Sequence, residues 1–260
     1  MVGADRFSLA GKKALITGAT HGIGEGIAVR FAEAGADVAL ASRTRPDLER
    51  VAALVTAQGR RAVQIPTDVS QIDQLESMVA TAIEQLGGLD VFVNVAGNQR
   101  RKSILDVSLD DWNFIMDVQL RAAFFGAQLA ARHFCAQGHG KVVHIASMTS
   151  YRGFLDIALY GIAKTAVVGM TRYMAVEWAP HNVQVNGIAP GWIETPMTAS
   201  MNPERRKWVE DHVPQGKYGI TQDIADMALY LSSDASNYVT GQTFPVDGGF
   251  LAGNPWPKLA

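Results

Sequence analysis

Cysteine is nearly absent from this sequence, which holds a single one, Cys135, among 260 residues. One cysteine forms no disulfide within the chain and gives no basis for a cysteine-ligated zinc site, so we predict no bound metal. A small buried apolar role is the simpler interpretation of this residue. Without disulfides the chain suits a reducing compartment, and we expect a cytoplasmic protein.

Long apolar runs and strong net charge are lacking too. No run of about 18 apolar residues occurs, so no transmembrane helix is predicted. The start, MVGADRFSLAGKKALITG, lacks the apolar stretch of a secretory signal. A formal net charge of −2 gives no reason to expect nucleic acid or an anionic membrane as a partner. We therefore expect a small-molecule partner.

Short apolar runs alternate with helical spacing along nearly the whole chain. The runs that predict buried strands are 12–17, 36–42, 61–68, 89–97, 140–147, 183–191 and 242–249. Buried strands separated by helices indicate a parallel sheet covered on both faces, hence a doubly wound α/β fold of about seven strands. No linker interrupts the pattern, so we predict one domain over 1–260. The polar segment 192–217 breaks the rhythm and is a predicted flap over the site.

A glycine-rich turn, TGATHGIG at 17–24, separates the first predicted strand from the first helix. Its glycines allow a tight turn, and the helix N-terminus beyond it offers free N–H groups to a pyrophosphate. Structural turns also use glycine, but the position after the first strand of an α/β chain favours a dinucleotide. The predicted phosphate-binding residues are Gly18, Thr20, His21, Gly22, Ile23 and Gly24.

The end of the second strand predicts which dinucleotide binds. An acidic residue there would bond the ribose hydroxyls of NAD and repel a 2′-phosphate. This strand ends in Ser42, followed by Arg43, whose guanidinium suits a phosphate. The sequence thus favours NADP as the cofactor, with NAD as the alternative. The competing interpretation is that Arg43 and Arg45 are only solvated loop charges.

Further candidate cofactor contacts follow the third and fourth strands. Asp68, with Val69 after it, would accept a hydrogen bond from the adenine amino group or would instead cap the next helix. In NVAG, at 94–97, the small residues Ala96 and Gly97 would let the cofactor lie close. Asn94 would contact the cofactor or satisfy neighbouring backbone groups.

Tyr160 and Lys164, in YGIAK, are four residues apart and so share one face of a predicted helix. A free tyrosine has a pKa of about 10, and we expect the nearby ammonium to lower it. Tyr160 would then exchange a proton with a substrate oxygen near neutral pH. Ser147 ends the fifth strand and would hydrogen-bond the same oxygen, while hydride moves between substrate and nicotinamide.

Taken together, these motifs resemble those of the short-chain dehydrogenase/reductase family. The matching stretches run in the family's order over nearly the whole chain: TGATHGIG, NVAG, Ser147, YGIAK, NGIAPGWIETPM and VDGG. The resemblance implies a Rossmann-type fold, general acid/base catalysis by Tyr160, a Lys164 that also binds the nicotinamide ribose, and a Ser147 that holds the substrate oxygen. It also implies a homotetramer formed through two long helices. The residues that it assigns to the nicotinamide end are Pro190, Gly191, Ile193 and Thr195.

One catalytic position departs from the family pattern. The family usually has an asparagine in the helix between the fourth and fifth strands, where it supports a water-linked proton relay to the lysine. This chain has Gln119 there, which keeps the amide but adds a methylene. We expect activity to survive, because the main-chain carbonyl at this position would hold the relay water.

The basic loop after the fourth strand suggests a substrate class. Arg100 and Arg101 lie in a stretch similar to the gluconate 5-dehydrogenase and deoxygluconate dehydrogenase branch. A sugar acid carries a carboxylate that arginine binds in bidentate fashion, and Arg152 and Trp192 are further substrate candidates. A solvated basic loop is the alternative. We expect a sugar acid or a polyol as the substrate. Two other functions stay open: a 3-oxoacyl thioester reductase, and a non-catalytic NADP-binding regulator.

Overall fold

Seven strands form one parallel sheet in the order β3-β2-β1-β4-β5-β6-β7 in the computed structural model, which describes residues 6–199 and 201–253. Both ends of the predicted domain 1–260, and Ser200 of the predicted flap, lie outside the described residues. The strands are β1 Lys13–Thr17, β2 Asp37–Ser42, β3 Ala62–Pro66, β4 Val91–Asn94, β5 Gly140–Ile145, β6 Val183–Pro190 and β7 Thr243–Val246. The predicted doubly wound parallel sheet is confirmed.

Helices connect the strands and cover the sheet. They are α1 Gly22–Glu33, α2 Arg45–Ala57, α3 Ile72–Leu86, α4 Leu109–Met116, α5 Ala122–Gln137, α6 Ala158–Trp178, α7 Pro196–Ala199, α8 Pro203–His212 and α9 Thr221–Ser232. Among the described residues, none of these helices has the length and hydropathy needed to cross a bilayer.

Both faces of the sheet are buried, which explains the continuous apolar runs of the strands. On one face, strand residues such as Phe92 and Val142 pack against α3, α5 and α6. On the other face, Ile16 and Val143 pack against α1, α2 and α9. Burying a side chain of this size contributes about 1.5–3 kcal/mol, so the two layers hold the strand ends in place.

The chain changes direction across the sheet between β3 and β4. Strand β1 pairs with β2 on one side and with β4 on the other, in parallel register on both. Ligands of open α/β sheets bind at such a switch point, outside the carboxyl ends of the strands. The loops that follow β1 and β4 therefore border the expected site.

The helical segment that follows Ser108 is interrupted. Its start is capped, since the Ser108 hydroxyl accepts the Asp111 N–H at 3.2 Å and the Asp111 carboxylate accepts the Ser108 N–H at 3.0 Å. A π-helical turn, Asp117–Arg121, then separates α4 from α5. This wider turn carries Gln119, and π turns of this kind frequently occur at functional sites.

The predicted flap 192–217 contains two helices, α7 and α8. Helix α8 and the residues after it bury Val209 and Val213 against Tyr218 and Phe250. At the other end of the segment, Thr195 lies against the glycine turn, because a Cβ built on Gly22 would be 3.1 Å from its Cγ2 atom. The segment is thus attached to the edge of the expected site, while its movement as a flap stays a prediction.

Candidate active site

The glycine turn folds tightly on itself and against the end of β4. Gly24 has no room for a side chain, because a Cβ there would lie 2.1 Å from the Gly18 carbonyl oxygen. Gly18 has a φ of +65°, and its Cβ would lie 2.8 Å from the Ala96 Cα. The structure therefore brings two predicted cofactor segments, TGATHGIG and NVAG, into close backbone contact.

A short polar network joins the glycine turn to the end of β2. The Thr20 hydroxyl lies 2.9 Å from the Ser42 hydroxyl and 3.1 Å from Nδ1 of His21. Nε2 of His21 in turn lies 3.7 Å from the Asp47 carboxylate, a neighbour that sequence reasoning missed. Arg43 is exposed and has no ion-pair partner in the described part of the chain. Its guanidinium is therefore available to an anionic ligand.

The ends of β1 and β4 are tied together by a threonine that the sequence analysis did not single out. The Thr17 hydroxyl donates to the Asn94 side-chain oxygen at 3.3 Å and accepts the N–H groups of Val95 and Ala96 at 3.1 and 3.2 Å. Thr17, rather than Asn94, thus satisfies the backbone here. The sequence feature that could have identified Thr17 is its position as the first residue of the glycine turn, where a hydroxyl can bond to neighbouring backbone groups.

Asp68 stabilises the turn before α3. Its Oδ1 atom accepts hydrogen bonds from the Ser70 N–H at 3.0 Å and the Ser70 hydroxyl at 2.8 Å. This is a local structural role, but it is not the helix cap that the sequence left open for Asp68, because the N-cap residue of α3 is Gln71. Val69, next to it, is buried in the core, so its side chain positions the loop rather than facing solvent.

Ser147, Tyr160 and Lys164 are brought together by β5 and α6. Lys164 is buried, and its Nζ donates to the Ile145 carbonyl at 2.6 Å, at the end of β5. The same Nζ lies 5.7 Å from the centroid of the Tyr160 ring. Ser147 follows β5, and its hydroxyl accepts the Thr149 N–H at 3.1 Å. The three side chains therefore occupy one edge of the sheet, next to the expected nicotinamide position.

The Tyr160 pKa departs from the expectation drawn from the sequence. Burial raises this pKa above the ordinary value of 10, and a hydrogen bond with the Ser147 side chain lowers it by a smaller amount. The expected lowering by Lys164 is wrong in this structure. Burial lowers the Lys164 pKa to about 7, so near neutral pH the amine is only partly charged. The neutral phenol is the form that donates a proton to a carbonyl oxygen.

Gln119 lies under the NVAG segment. It is buried, and its side-chain amide donates to the Asn98 carbonyl, one residue beyond Gly97. The extra methylene lets the amide reach this main-chain oxygen. The Oε1 atom of Gln119 is buried and, among the described residues, has no hydrogen-bond partner. An unused acceptor at this depth is available to a water molecule or to another donor.

The residues assigned to the nicotinamide end lie between the end of β6 and α7: Pro190, Gly191, Ile193 and Thr195. Ile193 is buried, and its carbonyl accepts the Thr198 hydroxyl at 2.8 Å, while the Thr195 N–H donates to the same hydroxyl at 2.9 Å. This turn fixes the start of the flap segment beside the glycine turn.

Arg100 is less available for a substrate than the sequence suggests. Its guanidinium lies 2.7 Å from the Asp111 carboxylate and 4.2 Å from the centroid of the Phe114 ring. Lys102 binds the same carboxylate at 2.7 Å. Hydrogen bonds from Lys102, Ser108 and Arg100 hold the Asp111 pKa well below its usual range. A substrate carboxylate would therefore have to compete with Asp111 for Arg100, whereas Arg101 is exposed.

Arg152 is held beside an aromatic cluster. Its guanidinium carbon lies 4.7 Å from the centroid of the buried Phe250 ring. Phe154 packs on both Phe250 and Trp192, with ring centroids 6.0 and 6.1 Å apart. In the described residues Arg152 forms no ion pair, in contrast to Arg100. Its guanidinium is therefore held in place by the Phe250 ring and is still available to a substrate carboxylate. Sequence reasoning missed Phe250, which directly follows VDGG.

Comparison with known proteins establishes the family. The chain matches the family described as enoyl-(acyl carrier protein) reductase over residues 18–251. It belongs to the short-chain dehydrogenase/reductase family.

Relatives with sugar-acid names are among the most similar. The 2-dehydro-3-deoxy-D-gluconate 5-dehydrogenase of Dickeya dadantii is 41% identical over 249 residues, covering 95% of this chain and 98% of the relative. The gluconate 5-dehydrogenase of Gluconobacter oxydans is 38% identical over 247 residues, covering 94% and 96%. A solved gluconate 5-dehydrogenase from Burkholderia cenocepacia, in complex with NADP and tartrate, is 36% identical with a TM-score of 0.91, covering 95% and 98%. The predicted family and fold are thus confirmed.

Proposed function

We propose that this protein is an NADP-dependent oxidoreductase that interconverts a secondary alcohol and a ketone of a sugar acid. The observation that carries the proposal is the convergence of Ser147, Tyr160 and Lys164 at one edge of the sheet, where the end of β5 meets α6. Membership of the short-chain dehydrogenase/reductase family and the names of the relatives support it.

The residues of the crevice fit NADP. The close backbone approach at Gly18 and Gly24 leaves the N-terminus of α1 open to a pyrophosphate. The 2′-phosphate would meet Arg43 and Ser42, because no carboxylate occupies the end of β2. When bound, the nucleotide supplies or accepts the hydride.

The protein's own part of the reaction is proton transfer and positioning. In reduction, the protonated Tyr160 donates to the substrate oxygen while the Ser147 hydroxyl hydrogen-bonds that oxygen. Lys164 has a pKa of about 7, so it takes up or releases a proton easily near neutral pH. Its bond to the Ile145 carbonyl keeps it at 5.7 Å from the phenol ring. Lys164 would also bind the nicotinamide ribose.

Arg152 is our preferred ligand for the substrate carboxylate. Its guanidinium is oriented by the Phe250 ring and is free of the acidic partner that occupies Arg100. Arg101 is exposed and would act as a secondary contact. Trp192 packs on Phe154 and would form the apolar wall beside the sugar chain.

A substrate panel tests the reaction. NADPH and NADH oxidation would be followed against 5-keto sugar acids, 3-oxoacyl thioesters and simple ketones, with Tyr160→Phe as the inactive control. We expect turnover of a keto sugar acid with NADPH and a loss of at least about 100-fold in Tyr160→Phe. Turnover of thioesters alone would favour the acyl reductase, and binding of NADPH without any turnover would favour a regulator.

A matched pair of variants tests the coenzyme preference. Arg43→Asp should weaken NADPH binding by about 10- to 100-fold, because a charge-assisted hydrogen bond contributes about 1.5–3 kcal/mol and the new carboxylate repels the phosphate. Arg45→Asp makes the same change of charge two residues away and should leave the affinity within about threefold. Equal losses in both variants, or none in Arg43→Asp, would contradict the role of Arg43.

We also propose a cytoplasmic homotetramer. The outer faces of α5 and α6 expose Phe124, Tyr173 and Val176, at 41%, 81% and 78%. Phe124 and Tyr173 border a groove of about 440 Å³ between the two helices. A second copy of the chain would cover this apolar surface. Tyr173→Glu should reduce the molar mass measured by light scattering, and an unchanged mass for wild type and variant would contradict this interface.

A further inference from the structure

A small polar cavity lies at the edge of the sheet opposite to Tyr160. It has a volume of about 140 Å³ and is bordered where β4, β5 and β6 begin and where α9 ends. Its charged or reactive lining residues are Lys12, Asp90, His139, Lys141, Ser232 and Asp234. Lys141 and Ser147 are six residues apart on the same strand and its extension, about 20 Å at the usual rise of a strand. The cavity is therefore separate from the proposed active site.

Lys141 is the central residue of this cavity. Only 7% of the side chain is exposed, and its Nζ donates to the Ser236 hydroxyl at 3.2 Å. In the described residues no carboxylate lies within 4.0 Å of this ammonium. Burial lowers the Lys141 pKa to about 8, so the group is still mainly protonated at neutral pH. A buried charge without a counter-charge is costly, which leaves a need for an anion.

The two acidic residues of the cavity do not meet this need. Asp90 is already used, because one oxygen accepts the Lys13 N–H at 2.8 Å and the other lies 3.1 Å from Nε2 of His139. Asp234 lies beyond ion-pair distance of Lys141, and its charge raises the Lys141 pKa. The charge of Lys12 lowers the same pKa.

Ser232 also lines this cavity. The Ser232 side chain is 1% exposed, and its hydroxyl has no hydrogen-bond partner among the described residues. Lys141 has two N–H groups beyond the one that it donates to Ser236. The cavity has room for roughly four water molecules, at about 30 Å³ each, or for one small oxyanion. Water would satisfy the donors, whereas an anion would also place a negative charge in direct contact with Lys141, which neither aspartate of the cavity does in the described residues.

We propose that this cavity is a binding site for a small oxyanion, a phosphate or a carboxylate, held by Lys141 and Ser232. Both residues line the cavity, Lys141 from β5 and Ser232 from the end of α9, so binding would link these two elements. Its affinity should fall as the pH rises above about 8, where Lys141 loses its proton. His139 stays engaged with Asp90, and Lys12 adds a second cation at the rim.

Phosphate-dependent stability tests the proposal on the intact protein. The melting temperature would be measured with inorganic phosphate and with chloride at equal ionic strength, and a sodium acetate arm would distinguish a carboxylate from a phosphate. We expect phosphate to stabilise the wild type, and Lys141→Met to weaken that binding at least about tenfold. Ser232→Ala is the milder second variant, expected to weaken it about fivefold, in case Lys141→Met does not fold.

A control separates this cavity from the proposed cofactor site, where phosphate would also bind. Arg43→Asp should keep the phosphate-dependent stabilisation that Lys141→Met loses. No stabilisation of the wild type by either anion would overturn the proposal. A stabilisation that survives in both Lys141→Met and Ser232→Ala would overturn it too, because the anion would then bind elsewhere, at Arg43 if Arg43→Asp abolishes the effect and at the glycine turn if it does not.

Discussion

His144 should make the protein sensitive to acid. This residue lies within β5, is fully buried, and among the described residues has no hydrogen-bond partner for either ring nitrogen. Burial, together with the nearby charge of Lys164, lowers its pKa from 6.5 to about 3. An imidazole in these surroundings stays neutral in the native state over the whole range in which a free histidine becomes charged.

The direction of the pH effect follows from proton binding. Between pH 6.5 and 3 the unfolded chain carries a proton on His144 that the native state does not bind, so stability falls as the pH decreases. The full difference corresponds to roughly 4–5 kcal/mol at about 1.4 kcal/mol per pH unit. At about pH 4.5 the loss should be about 2–3 kcal/mol, a large fraction of the total stability of a typical domain.

Urea unfolding at about pH 7 and about pH 4.5 measures this contribution. The His144→Asn variant removes the titrating ring, while every other acidic and basic group is shared with the wild type. We expect the wild type to lose about 2–3 kcal/mol more than His144→Asn between the two pH values. His181→Gln, which removes an exposed histidine, should behave like the wild type. Equal losses in the wild type and His144→Asn would refute the reasoning.

Three further predictions concern single positions. Gly24→Ala places a Cβ 2.1 Å from the Gly18 carbonyl oxygen, so NADPH affinity measured by fluorescence titration should fall at least about tenfold, whereas Gly169→Ala meets no atom within 4 Å and should not change it. Gln119→Asn should change the rate of proton transfer in single-turnover kinetics by less than about tenfold, and a large acceleration would mean that the native glutamine impairs the relay. Ser108→Ala should lower the free energy of unfolding by about 1 kcal/mol in urea, because it removes the cap of α4, and Ser103→Ala, which removes a hydroxyl that caps nothing, should leave it unchanged.

Local patterns explain how much was predictable. Strand and helix positions follow from apolar periodicity, and the glycine turn, Ser147, Tyr160 and Lys164 are recognisable as short motifs. The cap at Ser108 also depends on residues only three apart. Each of these features is set by neighbours along the chain, so the sequence alone was sufficient to predict them and the family.

Other features depended on distant contacts. The π turn around Gln119 contains neither glycine nor proline, so nothing local marked it. The ion pair between Arg100 and Asp111 needed the loop after β4 to fold against the first turn of α4. The hydrogen bonds of Thr17 needed β1 to lie beside β4.

The sequence by itself determined the layout of the α/β fold, the nucleotide-binding turn and the identity of the catalytic side chains, because these follow from spacing and residue type. Only the tertiary structure decided their protonation and availability. The raised pKa of Tyr160 and the lowered pKa of Lys164 come from burial, which depends on how α6 packs against β5. Burial and charge pairing are properties of the folded assembly of side chains, since water is excluded by residues far apart in the chain.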